Sequence, residues 1–311
     1  MGQVTEADLR KSDSTGWIPI NVSDISGFSM PTLPVDPQNT LNDNLYYTFY
    51  CNPQQEYILT SYMESKTFGP KGNENSKTNK DGGPDPYLYE VGSNLFISPL
   101  KPVGSWSFDE GTGTIANDSS GNNNNGIIYG NPTWTIDGQV NKALSFDGVD
   151  DYVRSDNDML LDSNQSYSVW VYPKATSSLK GVLTTHNHTI TSNIGINTHN
   201  NKFSISIGYT DGTREYNTKL SNYSIITNIW THVVLIYNAD ENSVSFYING
   251  LFDSKWNLTK TVKFTSERIL VGQWSNTYLG DYPFNGLLDE ARIYNRALSA
   301  EEIKRHYEMS K

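Results

Sequence analysis

From Gly104 to the C-terminus, short apolar runs recur at close intervals with polar, turn-forming residues between them: NGIIYG, KALSFDG, YSVWVYP, KFSISIGY, WTHVVLIYN, SVSFYING, RILVGQW and LLDEARIYN. Val, Ile, Tyr, Phe and Trp in short runs suit pleated, half-buried strands, and the Gly, Asn and Asp between them supply turns. Many antiparallel strands without helical periodicity predict a β-sandwich. The clearest hairpin is THVVLIYNADENSVSFYING, in which Val244, Phe246 and Ile248 alternate with Ser243, Ser245 and Tyr247 beyond a turn at Asp240, Glu241 and Asn242. Such alternation buries one face and wets the other. The chain closes on Ser299-Ala300-Glu301-Glu302, a capping box that predicts a short helix over about Ala300–Met309.

Upstream of Gly104 the pattern changes. Residues 1–15 are charged and polar and read as a lead-in. Residues 16–98 alternate the apolar runs WIPI, YYTFY, YILTSYM, YLYEV and LFI with breakers such as LPVDPQNT and GPKGNENSKTNKDGGPDP, which predicts a small β-rich unit with one long polar loop. The prolines at 99 and 102 make 99–103 a linker, because proline cannot donate to a ladder and restricts the residue before it. The sandwich then occupies 104–311.

The net charge of −11 offers no basic stripe, so binding to nucleic acid or to an anionic membrane surface is not expected, and cations are the more natural small partners. With Cys51 as its single cysteine the chain forms no internal disulfide and no cysteine-based zinc site; in the strand-like YYTFYC it reads as a small half-buried residue. No apolar run is long enough to cross a bilayer, and MGQVTEADLRKSDS does not resemble a signal sequence.

Several stretches in order, GSWSFDEGTGTIANDSSGNNNNGIIYG, KALSFDGVDDYV, YSVWVYP, WTHVVLIYN, SVSFYINGLF and NGLLDEARIYNRALSAEEIKRHY, resemble the LamG-like jelly-roll domain of the concanavalin A-like lectin/glucanase superfamily. The resemblance implies a mostly β, antiparallel jelly roll, and a fold that serves hydrolases, lyases, lectins and adhesion modules alike. In the first segment TGWIPINVSDISG, LPVDPQNT, YYTFY, YILTSYMES and DGGPDPYLYEVGSNL resemble the globular part of prepilin-type proteins. That likeness implies an extracellular or cell-surface ectodomain whose anchoring helix is not in this sequence, with other pilin-like subunits as partners.

The stretch SFDGVDDYV crowds Asp147, Asp150 and Asp151 around Gly148. A glycosidase needs two carboxylates flanking the scissile bond. Laminarinase-type relatives of this superfamily carry theirs on one strand as Glu-x-Asp-x-Glu or a variant one residue longer, a pattern that 104–311 lacks, so a non-catalytic module is expected. The three aspartates straddle the glycine and read mainly as turn formers.

Relatives of this fold bind a structural calcium between the first strand and the last, and the resemblance implies Ca²⁺ here too, held by Asp289 with Asp109, Asp118 and the carbonyl of Gly148. Calcium needs several oxygen ligands. On simple alternation Asp289 shares an inward face with Ala291 and Ile293. The alternative is that Asp289 caps backbone amides at a bulge while Asp118 makes an Asx turn.

His186 and His188 lack an identifiable third ligand and read as part of a polar loop, and the NNNN run reads as a solvated one. Trp170 and Trp230 sit in strand patterns and are expected in the core. Trp134, Trp256, Trp274, Tyr278 and Tyr282 fall near strand ends or loops, where rings either pack or stack on sugar faces. The expected function is a carbohydrate-binding or adhesion module with a glycan or cell-surface protein as partner. The alternatives are a glycoside hydrolase or polysaccharide lyase of the same fold, and a structural spacer or protein-binding domain.

Overall fold

A computed structural model describes residues 48–51, 57–62, 88–92, 101–161, 163–186, 194–264, 266–276 and 280–311. The chain divides into two compact units, Met1–Lys101 and Pro102–Lys311. In the first, the described residues are three antiparallel strands in the order β1 (Thr48–Cys51), β2 (Tyr57–Tyr62), β3 (Leu88–Gly92). They fall on the YYTFYC, YILTSY and LYEVG runs. Most of the stretch that resembles prepilin-type proteins, and the side chain of Cys51, lie outside the described residues.

The second unit begins with β4 (Gly104–Trp106), β5 (Ile115–Ala116), β6 (Gly126–Tyr129), β7 (Thr133–Thr135), β8 (Ala143–Asp147), β9 (Tyr152–Ser155) and β10 (Met159–Leu160). It continues with β11 (Gln165–Pro173), β12 (Lys180–His186), β13 (Ile194–His199), β14 (Lys202–Gly208), β15 (Arg214–Leu220), β16 (Thr231–Asn238) and β17 (Ser243–Ile248). Then come β18 (Leu251–Asn257), β19 (Ser266–Val271), β20 (Gln273–Asn276), β21 (Gly280–Pro283), β22 (Asn285–Tyr294) and α1 (Ala300–Ser310).

Two antiparallel sheets form the expected sandwich. The front sheet runs β18-β17-β16-β11-β22-β8-β7, with β4 also on β22; the back sheet runs β15-β14-β13-β12-β19-β9-β6-β5, with β10 also on β19. Alternating side chains from both fill the space between them. Tyr167, Val169, Val171, Val233, Leu235, Phe246, Leu288 and Ile293 come from the front, and Val153, Ile196, Ile205, Ile207, Ile269 and Val271 from the back. The β16–β17 hairpin pairs in the expected register, Tyr237 opposite Val244. Asn249 and Gly250, both at positive φ, close β17 onto β18 as a two-residue turn whose twist matches the strands.

The front sheet has a second buried layer. Val234, Ile236 and Tyr294 on its outer face pack against Leu298 and Ile303. Ser299 caps α1 with both halves of the capping box formed, and Arg296 pairs with Glu302 at 2.8 Å. Among the described residues, the helix therefore covers part of the outer face of the front sheet and leaves the rest open. Among the described residues no helix is long and apolar enough to cross a membrane.

Candidate functional site

The open part of the front sheet holds a depression of about 580 Å³ lined by Thr133, Trp134, Thr135, Asp137, Ser145, Tyr172, Lys174, Trp230 and Leu287. Register explains why these residues meet. Thr133 pairs with Ser145, Ser145 with Leu287, and Leu287 with Tyr172, so four adjacent strands each present one residue on the same face of one row. Trp230 extends the row, its ring 5.5 Å from that of Tyr172. The segment before β16 is pinned there because the amide of Asn228 donates to the carbonyl of Pro173 at 2.8 Å.

Trp230 is thus half-buried in the depression, not in the core as its strand pattern suggests. It opens the apolar run WTHVVLIYN just before β16 starts at Thr231, so it sits at the rim of the sheet and keeps part of its surface exposed. Lys174 follows Tyr172 on the same face, and its amide donates to Asn285 O at 2.9 Å, which fixes the backbone below an exposed ammonium. Asp137 Oδ2 accepts from Thr135 Oγ1 at 3.2 Å at the other end. The row thus runs from an aromatic pair to a cluster of hydroxyls and a carboxylate.

Asp289 lies buried on the same outer face as the depression, not inward as simple alternation predicts. Between Ser168 and Trp170 the pairing slips, with Ser168 opposite Arg292 and Trp170 opposite Asp289, and Glu290 carries the extra residue at φ +53°. This bulge turns Asp289 to the face of Trp170, away from that of Ala291 and Ile293. Trp170 is buried as expected, but under α1: it stacks on Tyr307 with centroids 5.6 Å apart. Fully buried, Asp289 accepts the amide of Val140 on Oδ2 at 2.9 Å and so ties down the 137–142 turn. Burial first, and then the Glu290 carboxylate, push its pKa well above the ordinary carboxylate range. Glu290 is itself paired with Arg292.

Of the four residues expected to share calcium, Asp109 lies near Asp289 whereas Gly148 lies apart from it. The Asp109 oxygens accept from the Lys142 amide at 2.9 Å and from Asn141 Nδ2 at 3.1 Å. Asp118 accepts the amides of Ser105, Ser120 and Asn124 and the Ser120 hydroxyl, which makes it the Asx-type turn builder of the alternative reading. Gly148 sits against Asn285, four residues along β22 from Asp289 and hence about 13 Å away, too far for both to reach one ion. The donor set does not fit a single calcium, although Asp289 Oδ1 is left without a hydrogen bond.

Asp147, Asp150 and Asp151 do converge, with ligand atoms within 4.8 Å of one another. Hydrogen bonds within the turn engage two of them: Asp151 Oδ2 accepts the Asp147 amide at 2.9 Å and Asp147 Oδ1 accepts that of Val149 at 2.8 Å. Burial raises the Asp151 carboxyl, with the Asp147 and Asp150 charges adding to it. As expected, β8 and β9 flank a bend at Gly148, whose φ is +84°.

Among the other aromatics, Trp134 borders the depression, but it pairs with Leu144 on the core side and donates to Gly113 O at 3.2 Å. Trp256 is half-buried edge-on to Phe246. Trp274 is 1% exposed and packs on half-buried Tyr282, so it offers no platform. Tyr278, His188 and the side chain of His186 lie outside the described residues.

A family model described as the concanavalin A-like lectin/glucanases superfamily matches residues 147–304, just over half of the chain. The chain belongs to that superfamily. A search of curated proteins finds no match. Among solved structures, domain 4 of AbnA, a GH43 extracellular arabinanase from Geobacillus stearothermophilus in complex with arabinotriose, is similar at 22% identity and TM-score 0.52, with 68% of this chain and 98% of that one covered. The binding domain of Paraclostridial Mosquitocidal Protein 1 is similar at 16% identity and TM-score 0.54 over 67% of this chain and 52% of that one. The binding domain of botulinum neurotoxin DC, solved with rat synaptotagmin II, is similar at 13% identity and TM-score 0.54 over 68% and 52%. The chain spans about half the length of these two toxin domains, and the likenesses establish the superfamily fold alone.

Proposed function

We propose that the 102–311 unit is a non-catalytic carbohydrate-binding module whose ligand lies on the open part of the front sheet. The observation that carries this reading is the Tyr172–Trp230 pair at one end of a row of Ser and Thr hydroxyls. Apolar ring faces and fixed polar groups together are what a sugar presents a use for, with one side rich in C–H and the edges rich in hydroxyls. The arabinanase domain of the same fold, solved with arabinotriose, supports it. The absence of a one-strand carboxylate motif between 104 and 311 supports binding without cleavage.

The test is a polysaccharide panel scored both for binding and for release of reducing ends. Binding that is lost in Trp230→Ala, without released sugar, supports the module. Turnover that survives stringent purification transfers the assignment to a hydrolase or lyase. A protein receptor is the second reading, favoured by the toxin domain solved with synaptotagmin II; capture of a protein partner unaffected by Trp230→Ala supports it.

The likeness of 16–97 to prepilin-type proteins extends the proposal to display of the module at a cell surface, on a pilin-like subunit. Surface labelling of cells that produce the full-length protein tests it; purely intracellular protein counts against it.

A further inference from the structure

We propose that the groove takes a stretch of about three sugar residues laid across the strands, with one ring stacked at the Trp230 end and the hydroxyls of the last held at the β7 end. This rests on the carbohydrate-binding reading and adds the direction, the length and the polarity of the ligand.

The direction follows from what flanks the row. On one side the Trp170 row is closed by α1, since Trp170 Nε1 donates to Ser310 Oγ at 2.9 Å and Gln139 Nε2 donates to Ser310 O at 3.1 Å. On the other side the sheet ends within two residues, where Asp147 pairs with Asn285 and the Lys174 amide meets Asn285 O. Along the strands, therefore, only about 7 Å is open. Across them, β7 to β11 is three strand spacings, about 14 Å, and Trp230 lies one step further. A chain of rings fits only the long axis, and that axis holds about three.

The polarity follows from the residues along it. Tyr172 and Trp230 at one end offer ring faces, whereas Leu287 in the middle is buried and offers only a flat apolar floor. Thr133, Thr135, Ser145 and Asp137 at the other end offer hydroxyls and a carboxylate. A single sugar ring can occupy the aromatic end or the polar end, but not both. Affinity should accordingly rise with chain length until both ends are filled.

The experiment is calorimetry with arabino-, xylo-, cello-, manno- and galacto-oligosaccharides of one to five residues. The expected result is an affinity that climbs to about the trimer and then levels. Trp230→Ala should weaken every length by about tenfold, and Trp230→Phe, which keeps a ring face, should retain most of the binding. Thr133→Val, at an exposed edge position, should weaken the trimer by about fivefold and the monosaccharide by less. A monosaccharide that binds as tightly as the trimer, or a Thr133→Val effect equal at all lengths, overturns the three-residue groove and leaves carbohydrate binding standing. Binding to no series, by a protein whose melting shows it folded, overturns both.

Discussion

The Trp170 indole donates from Nε1 to Ser310 Oγ at 2.9 Å, joining the middle of the front sheet to the last residue of α1. Its ring also stacks on Tyr307 and lies 5.2 Å from His232. Trp170→Phe keeps a ring but loses the hydrogen bond and part of the packing. It should lower stability by about 1–3 kcal/mol in urea unfolding. An unchanged midpoint would show that α1 is not held through this contact.

Acid should loosen the same layer. His232 is fully buried and its pKa is pushed down to about 3 by burial and by Arg292. His306 is lowered by burial, then by Arg292 and His232. Unfolded, both titrate near 6.5, so below that pH the unfolded chain binds more protons. Stability is therefore complete above about pH 6.5 and declines as pH falls, by up to about 1.4 kcal/mol per pH unit for His232 down to about pH 3, with His306 adding in the same direction.

Asp289 has the opposite sign, because its raised pKa lets the folded state bind a proton first, and its contribution grows as pH falls toward 3.8. Asp289→Asn should therefore steepen the acid loss. Urea midpoints between pH 7 and pH 4 measure it, and a shallower slope in the variant contradicts the assignment.

Calcium can be tested at the same residue. An ion that binds only the folded state at a hundred times its dissociation constant adds about 2.7 kcal/mol. Because the Gly148 carbonyl is out of reach of Asp289 and the Asp109 oxygens are already taken by the Lys142 amide and Asn141, the melting response to calcium and to chelator, whatever its size, should be the same in Asp289→Asn as in the unaltered protein. Asp150→Asn is the comparison variant. A response lost in Asp289→Asn would reinstate calcium at that position.

Gly148→Ala should destabilise the protein by about 1–3 kcal/mol in thermal or urea melts. The backbone there has φ +84°, and an added Cβ would come within 2.8 Å of Asn285 Cβ. Asn285 lies two residues along β22 from Leu287 in the groove, so affinity for the proposed glycan should fall as well. A neutral substitution would mean that the β8–β9 bend relaxes without moving β22.

The sandwich was legible because alternation is local: Val244, Phe246 and Ile248 declare their face within one strand, and Ser299 with Glu302 declares the helix start. The groove was not, because its members are contiguous only across strands, and no window of sequence contains Thr133, Tyr172 and Leu287 together. Trp230 and Trp274 exchanged their expected places because a ring at a strand end is covered or bare according to what a distant segment does. Asp289 was misplaced by one residue, since counting faces along β22 fails at the Glu290 bulge. The bulge leaves no mark in the sequence, where Glu at positive φ looks like any other Glu.

The row Thr133–Ser145–Leu287–Tyr172 has one further property. A slip of β8 by a single residue would replace Ser145 in the row by Leu144 or Phe146 and send the hydroxyl into the core. On the proposed reading of the groove, recognition and correct strand pairing are thus the same event seen from two sides: a misregistered molecule would be blind to the glycan, and any molecule that the glycan captures has already been proofread.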